Sequence, residues 1–175
     1  MKNISAGDPK TNKTYEVTHK EEVIWLFSED GRDWYEEQKN FQAETLKVAY
    51  AENGQVVCVT EDISAINPNG LSVIEIDNNT ENQQIDISGY WFFNDGRFVF
   101  DYVQKANDVR NRLVLDADAI IQSKGVDLFL GGVSEEELSR LRAWRCYVEA
   151  LRALVFTSVT DRLSYEAIVW PTKPE

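Results

Sequence analysis

The chain is poor in the side chains from which most catalytic and metal sites are built. Its 175 residues include one histidine, two cysteines and a single methionine. Zinc sites need several His or Cys ligands at close spacing, and one histidine with two distant cysteines does not supply them. His19 lies in a polar stretch without a serine or cysteine nucleophile motif, so we interpret it as a surface residue. We therefore expect no metal, no cofactor and no catalytic residues.

Long apolar segments and an excess of positive charge are also missing. No apolar run approaches the ~20 residues that span a bilayer, and the N-terminus has no apolar signal-peptide core. Thirty acidic and 18 basic residues give a net charge of −12. An acidic surface repels phosphate backbones and anionic membranes, so we expect no nucleic-acid binding and no membrane insertion. We expect a soluble, cytoplasmic chain whose partner is another protein.

The many carboxylates raise the alternative of a hard-cation site or a carboxylate-dependent hydrolase. Asp116 and Asp118 fall two apart in a helical pattern and point to different sides. Glu135, Glu136 and Glu137 occupy the first turn of a predicted helix, where the helix dipole accounts for them. No glycine-rich nucleotide-binding motif occurs either. Solvated acidic faces are the simpler interpretation, and we predict that the chain is not an enzyme.

The first hundred residues have the pattern of short antiparallel strands, because turn residues interrupt segments rich in aromatic and β-branched side chains. Asn53-Gly54 predicts a tight hairpin turn with positive φ at both central residues, and Asn94-Asp95-Gly96 predicts a second hairpin. We expect a small antiparallel β-rich domain over residues 1–101. Its predicted strands are Thr14–Val17, Val23–Phe27, Leu46–Tyr50, Val56–Thr60, Leu71–Ile76, Tyr90–Phe93 and Phe98–Val103.

The C-terminal part has the apolar spacing of amphipathic helices. A first helix should end near Lys124-Gly125, where glycine can cap a helix C-terminus. Ser134 and Glu137 have the spacing of a capping box and predict the start of a second helix. We expect an antiparallel helical hairpin over 102–157, followed by a C-terminal tail over 158–175, which makes the fold class α+β.

The apolar stripe of the second helix is predicted to run from Leu138 through Val148 to Val155.

The second helix and one of the strands each contain a cysteine. Cys58 and Cys146 lie far apart within apolar patterns, one in a strand and one in a helix. This placement predicts two buried free thiols rather than a disulfide.

Aromatic residues are abundant, with five Trp, seven Tyr and eight Phe. Four of them lie among charged residues in one stretch: Trp25, Trp34, Tyr35 and Phe41. Most aromatic residues of a small β-domain fill its core, but partly exposed Trp and Tyr are the usual anchors of protein interfaces. We predict that these four residues form a partner-binding surface centred on Trp34 and Tyr35.

Several short motifs follow one another in an order that is specific, although each motif alone is common. They are Val23–Phe27, Ser28–Gly31, Asp33–Glu36, Phe41, Tyr50–Gly54, Asn67–Gly70, Ser88–Trp91, Ser134–Glu137, Ala143-Trp144 and Trp170-Pro171. In this order the chain resembles the Mu-type bacteriophage tail fibre assembly proteins. It departs from their pattern in a longer passage over Phe156–Tyr165 and at Ser123–Gly125, where the family tends to carry a proline.

The resemblance implies a virion assembly chaperone that binds the distal C-terminal tip of a trimeric tail fibre. Such a protein would promote folding or trimerisation of the fibre in the cytoplasm of the infected bacterium. Intertwined β-structure has a high contact order, so its chains expose apolar surface and unpaired edges before they close. The helical hairpin would supply a second contact or self-association. A second hypothesis is a component retained at the fibre tip of the virion, which contributes to host receptor binding by contacting surface glycan (lipopolysaccharide).

Overall fold

The computed structural model describes residues 1–7, 24–129 and 134–175, and of residues 125–129 it describes the backbone only. The chain forms two compact units, Met1–Phe100 and Asp101–Glu175. The described part of the first unit is mainly strands and that of the second unit mainly helices, so the predicted α+β class is confirmed. The predicted strand Thr14–Val17 and His19 lie outside the described residues. The finer division into 102–157 and 158–175 stays a prediction.

The strands of the first unit pair in three small antiparallel sheets over the described residues. One sheet pairs β1 with β2, the central sheet has the order β4-β3-β5, and the third is the β6–β7 hairpin. Their bounds are β1 (Ser5–Ala6), β2 (Leu26–Phe27), β3 (Leu46–Tyr50), β4 (Val56–Thr60), β5 (Ser72–Ile76), β6 (Trp91–Asn94) and β7 (Arg97–Phe100).

The predicted strands match these bounds in part. Strands β3 and β4 have the predicted limits, and β5 and β6 each begin one residue later than predicted. The prediction of a strand over Phe98–Val103 is wrong after Phe100, because Tyr102 begins a helix. In the predicted strand Val23–Phe27, Ile24 and Trp25 have no strand structure, and Val23 lies outside the described residues.

The turn between β3 and β4 differs from the predicted two-residue turn. The Ala51 N–H donates to the Gln55 carbonyl at 2.9 Å, and the Gly54 N–H donates to the Ala51 carbonyl at 2.8 Å, so three residues form the loop. Gly54 has a φ of +86°, whereas Asn53 is not among the positive-φ residues of the described chain. A three-residue loop ending in a left-handed glycine is the usual alternative to a two-residue Asn-Gly turn.

The β6–β7 hairpin contacts the central sheet at Gly54. The Phe93 N–H donates to the Gly54 carbonyl at 2.7 Å. A Cβ atom at position 54 would lie 2.5 Å from the Phe93 carbonyl oxygen, so glycine is required there for space as well as for its φ. The predicted turn of this hairpin is confirmed, since Asp95 and Gly96 have φ values of +48° and +83°.

The middle strand of the central sheet, β3, is packed on both faces. Successive side chains of a strand point to opposite faces, and the first four residues of β3 are all buried. Ala49 lies in one cluster of buried residues, with Ile4, Leu26, Trp34, Ile66 and Val73. Val48 lies in another cluster, with Val56 and Ile85.

A lysine lies within this buried strand. Lys47 is only 1% exposed. Its Nζ donates to the carbonyls of Thr45 and Glu61 at 3.0 Å each, and also to the carbonyl of Gln42. All three N–H donors of the ammonium therefore have main-chain acceptors. Lys47 thus ties the loop before β3 to the residue after β4.

The second unit consists of helices α2 (Tyr102–Phe129), α3 (Glu135–Arg152) and α4 (Arg162–Glu166) over its described residues. The predicted end of α2 near Lys124-Gly125 is wrong, because the helix continues through Gly125. One glycine costs a helix about 1 kcal/mol, which does not suffice to end it. The predicted capping box of α3 is confirmed: the Ser134 N–H donates to Glu137 Oε2 at 2.9 Å, and the Glu137 N–H donates to Ser134 Oγ at 3.3 Å.

Helices α2 and α3 pack antiparallel. Arg110 donates to the Leu154 carbonyl at 3.1 Å, and farther along α2 Asp118 pairs with Arg152 at 3.0 Å. Between the helices, Ala117 is buried with Trp144, Tyr147, Val148 and Leu151. The predicted extension of the α3 stripe to Val155 is wrong, since α3 ends at Arg152 and Val155 is 74% exposed.

The C-terminal segment packs on α2. Phe156 and Val159 are buried with Ala106, and Trp170 packs on Phe156 with ring centroids 5.5 Å apart. Asp161 caps the start of α4, because its carboxylate accepts from the Ser164 N–H at 2.7 Å. The sequence pattern did not predict this helix, because five residues are too few to establish a period.

Both cysteines are free thiols, as predicted, but they differ in exposure. Cys58 in β4 is half-buried, whereas Cys146 on α3 is exposed. The predicted burial of Cys146 is therefore wrong, since the buried stripe of α3 includes Trp144, Tyr147 and Val148 but not position 146. Burial raises the pKa of the Cys58 thiol.

Alkylation should distinguish these two thiols. In the folded protein at pH 8, iodoacetamide is expected to modify Cys146 several times faster than Cys58, because the thiolate is the nucleophile and Cys58 is both shielded and harder to ionise. Peptide mass spectrometry at timed points measures both rates. Equal rates in the native chain, or a faster Cys58, would contradict the placement of these residues; equal rates in urea are the expected control.

Candidate functional site

The predicted partner-binding residues lie around the short helix α1 (Trp34–Glu37) of the first unit. Asp33 fixes the start of this helix, because its carboxylate accepts from the Tyr35 N–H at 2.8 Å and from the Glu36 N–H at 3.2 Å. From this common start, consecutive side chains take different directions. Trp34 enters the core, while Tyr35 is 42% exposed.

Trp34 is a core residue. It is 1% exposed, and its ring lies 6.1 Å from that of Phe41, centroid to centroid. It belongs to the buried cluster that covers one face of the central sheet. A direct partner contact by its side chain would require this core to open, so Trp34 can support a binding surface only from beneath. Phe41 is half-buried against the same cluster.

Trp25 and Tyr35 form an aromatic pair that is held by hydrogen bonds. Their ring centroids are 5.2 Å apart. The Trp25 indole N–H donates to Asp33 Oδ2 at 2.5 Å, and the Tyr35 hydroxyl donates to the Ile24 carbonyl at 2.9 Å. Trp25 is half-buried and Ile24 is 59% exposed. The structure thus brings two of the predicted residues into a rigid, partly exposed pair, the arrangement that aromatic anchors of interfaces use.

A groove with a volume of about 440 Å³ lies beside this pair. Apolar side chains, those of Leu26, Trp34, Ile66 and Pro68, form part of its lining, and the first three belong to the buried core. The other lining residues are Ile24, Tyr35, Gln38, Ser64, Asn67 and Asn69. The groove thus combines apolar side chains with several polar ones, and binding sites use both kinds.

Sequence reasoning missed the half of the groove that comes from residues 64–69. Asn67-Pro68-Asn69-Gly70 served only as one of the motifs that carry the resemblance, and nothing in its local pattern connects it to α1. The two segments meet because Ile66 and Trp34 enter one buried cluster. Only a prediction of that long-range contact could have found this half.

The surface around α1 carries excess negative charge. Residues 24–41 contain five carboxylates and two cations, which leaves a net charge of −3. Arg32 pairs with Asp30 at 2.8 Å and with Glu37 at 3.2 Å. The Ser28 hydroxyl, with Arg32, holds the pKa of the Asp30 carboxyl below its usual value, so this group is charged at neutral pH.

Lys39 is the second cation of this surface, and it pairs with Glu36 at 2.5 Å. The hydrogen bond and charge of Glu36 raise the pKa of Lys39, which keeps this lysine charged as well. Both cations are therefore bound to neighbouring carboxylates, and the remaining carboxylates set the sign of the local potential.

A second cavity, of about 290 Å³, lies between the helices of the second unit. Ile120, Leu141 and Trp144 line its apolar side, and Lys124, Glu137, Arg140 and Glu175 its charged side. Sequence reasoning placed Trp144 or Arg145 in the apolar stripe of α3 and used Trp144 as a mark of resemblance, but it did not predict this cavity. Within the described residues no group of three or more His, Cys, Asp or Glu could hold a metal ion, and no helix is long and apolar enough to cross a membrane.

Comparison with known proteins relates the chain to one family. The model of the family described as Caudovirales tail fibre assembly protein, lambda gpK, matches residues 36–175. Tail fiber assembly protein U of Escherichia phage Mu is 39% identical over 181 residues, which cover 100% of this chain and 98% of that protein. Tail fiber assembly protein U' of Escherichia phage P1 is 38% identical with the same coverage. The family match begins inside α1, whereas these relatives also cover the segment with Trp25, Trp34 and Tyr35.

Proposed function

The chain belongs to the Caudovirales tail fibre assembly protein family, and from this membership we propose that it is a non-catalytic chaperone for a trimeric tail fibre. In this proposal the β-rich unit binds the distal C-terminal tip of the fibre in the cytoplasm of the infected bacterium and promotes folding or trimerisation. The resemblance in sequence order agrees with the family match over most of the chain. The family membership is the observation that carries the proposal.

The groove beside α1 is the surface that suits this role best. It combines an exposed aliphatic residue, Ile24, with an aromatic side chain, Tyr35, that a hydrogen bond holds in place. Such a surface loses little side-chain entropy on binding, because its rings are already fixed. An unfinished fibre exposes apolar surface of the kind that this groove can cover. Binding of this type is stoichiometric and needs no chemical step.

Exposed isoleucines provide a matched test of the groove. Ile24→Ser should weaken the binding free energy for co-expressed fibre by about 1–2 kcal/mol, as for a typical interface anchor, and less fibre should be retained. Ile87→Ser is the control, because Ile87 lies in the same unit, is 68% exposed and does not line the groove. The fraction of fibre that copurifies with each variant is measured at equal expression. Equal retention by the two variants would remove the groove from the proposal.

The chaperone role itself is tested by producing the tail fibre of the same phage with and without this chain. We expect soluble trimeric fibre only, or mainly, in the presence of the chain, measured by size-exclusion chromatography with light scattering. Equal trimer yields in the two cases would refute the chaperone function, whatever the groove variants show.

A second candidate is a component that stays on the fibre tip and contributes to binding of bacterial surface glycan (lipopolysaccharide). The observation that favours it is the exposed Tyr35 ring beside the carboxamides of Gln38, Asn67 and Asn69, since stacking rings and amides can hold sugars. Mass spectrometry of purified virions decides this point. Absence of the chain from mature particles would exclude the candidate.

In either case the helical unit would provide a second fibre contact or self-association. Light scattering of the purified chain measures the self-association.

A further inference from the structure

We propose that the groove beside α1 takes an apolar side chain of the tail fibre that is flanked by lysine or arginine. This inference rests on the proposed function and adds the chemistry of the partner segment. It is drawn from three features of the described residues: the lining of the groove, the free carboxamides at its rim and the charge around it.

The apolar part of the lining favours an apolar side chain. Leu26, Trp34 and Ile66 are each at most 5% exposed, so the groove lies directly on the core of the unit. A polar group placed against these three side chains would lose its water without gaining a hydrogen bond from them. The volume of about 440 Å³ falls in the lower part of the range typical of ligand clefts, roughly 300–1,000 Å³. It suits one or two side chains rather than a large folded surface.

The rim can hold the main chain of the partner segment. The side-chain carboxamides of Gln38 and Asn69 line the groove and make no hydrogen bond within the described residues. Each carboxamide can both donate and accept, as a peptide group can. An extended segment that places one side chain in the groove therefore finds donors and acceptors for its own peptide groups beside it.

The charge around the groove selects the neighbours of that side chain. The net charge of −3 over residues 24–41 makes an acidic segment costly and a basic one favourable. The two cations of this surface, Arg32 and Lys39, are already paired with its own carboxylates. The exposed Tyr35 ring adds a face on which a guanidinium or ammonium group can lie. Lysine or arginine beside the apolar side chain satisfies both features.

The test compares two charge reversals that change the net charge of the chain equally. Glu36→Lys reverses an exposed carboxylate on α1, and Glu149→Lys reverses an exposed one on α3 of the other unit. Preformed complex of wild-type chain and fibre is mixed with labelled competitor chain, and the fraction of label bound to fibre is measured at 50 and 500 mM NaCl. Labelled wild-type chain is the reference.

We expect Glu36→Lys to compete about threefold to tenfold less well than wild type at 50 mM NaCl, and nearly as well as wild type at 500 mM, because salt screens rim charges. Glu149→Lys should compete like wild type at both concentrations. Equal competition by the two variants, or a deficit that salt does not reduce, would overturn the proposal. So would displacement of the fibre by purified lipopolysaccharide without any effect of salt. Failure of wild-type chain to form the complex at all would instead refute the proposed function.

Discussion

Replacement of Trp34 by alanine is expected to lower the free energy of unfolding of the β-rich unit by about 4 kcal/mol, in the upper part of the range for truncated core residues. Trp34 is 1% exposed and packs in the same cluster as Ile4, Ala49 and Val73, so its removal leaves a cavity against the central sheet. Trp34 also anchors α1, so the side chains that line the groove should lose their fixed positions when it is replaced. The variant should therefore lose fibre binding because the surface loses its support.

Tyr35→Ala is the matched control for Trp34→Ala. Tyr35 is the next residue on the same helix but is 42% exposed, so its truncation should cost less than about 1 kcal/mol of stability. Urea unfolding followed by circular dichroism compares the two variants without relying on tryptophan emission. Equal stabilities would contradict the placement of Trp34. A Trp34→Ala chain with wild-type stability and no fibre binding would mean that Trp34 contacts the partner directly.

Lys47→Met is expected to destabilise the β-rich unit by about 3 kcal/mol, because it leaves the carbonyls of Gln42, Thr45 and Glu61 without their donor. Methionine keeps most of the buried apolar stem, so the loss should come from the missing hydrogen bonds rather than from a cavity. A cleft beside Phe41 and Asp62 lets water reach part of this site, which is why we expect less than the full penalty for three buried orphan carbonyls.

Lys39→Met separates this effect from the loss of a positive charge. Lys39 is exposed, and its ion pair with Glu36 lies on the surface, so its replacement should leave the unfolding midpoint nearly unchanged. Both variants change the net charge by the same amount. The midpoint of urea unfolding is again the measurement. If Lys47→Met and Lys39→Met unfold at the same urea concentration, the carbonyl contacts of Lys47 contribute little to stability.

The parts of the fold that were predictable from the sequence depend on interactions between residues that lie close together in the chain. Turn residues with a preferred φ marked the β6–β7 hairpin, and the Ser134–Glu137 spacing marked the start of α3. Predictions that depended on how long a local pattern persists were wrong. Gly125 did not end α2, because one glycine costs a helix too little to stop it, and Val155 did not continue α3, which ends at Arg152.

The candidate site was predictable by composition but not by orientation. The density of aromatic residues in Trp25–Phe41 indicated where a surface could lie. It did not indicate that Trp34 points inward and Tyr35 outward, because a helix of one turn is too short for its buried side to be read from a period. Lys47 illustrates the same limit, since a lysine within a strand is normally taken for a solvent-facing residue.

The contact between Gly54 and Phe93 has a consequence for how such sequences can change. The hairpin and the central sheet meet there through a main-chain hydrogen bond of 2.7 Å, at a residue that has no side chain. Main-chain groups are the same in every residue except proline, so this contact does not depend on which side chain stands at position 93. The main-chain part of this attachment therefore tolerates substitution at position 93, provided that position 54 keeps its glycine and position 93 avoids proline. The side-chain part does not, because Trp91 and Phe98 pack against the buried cluster of Val48, Val56 and Ile85.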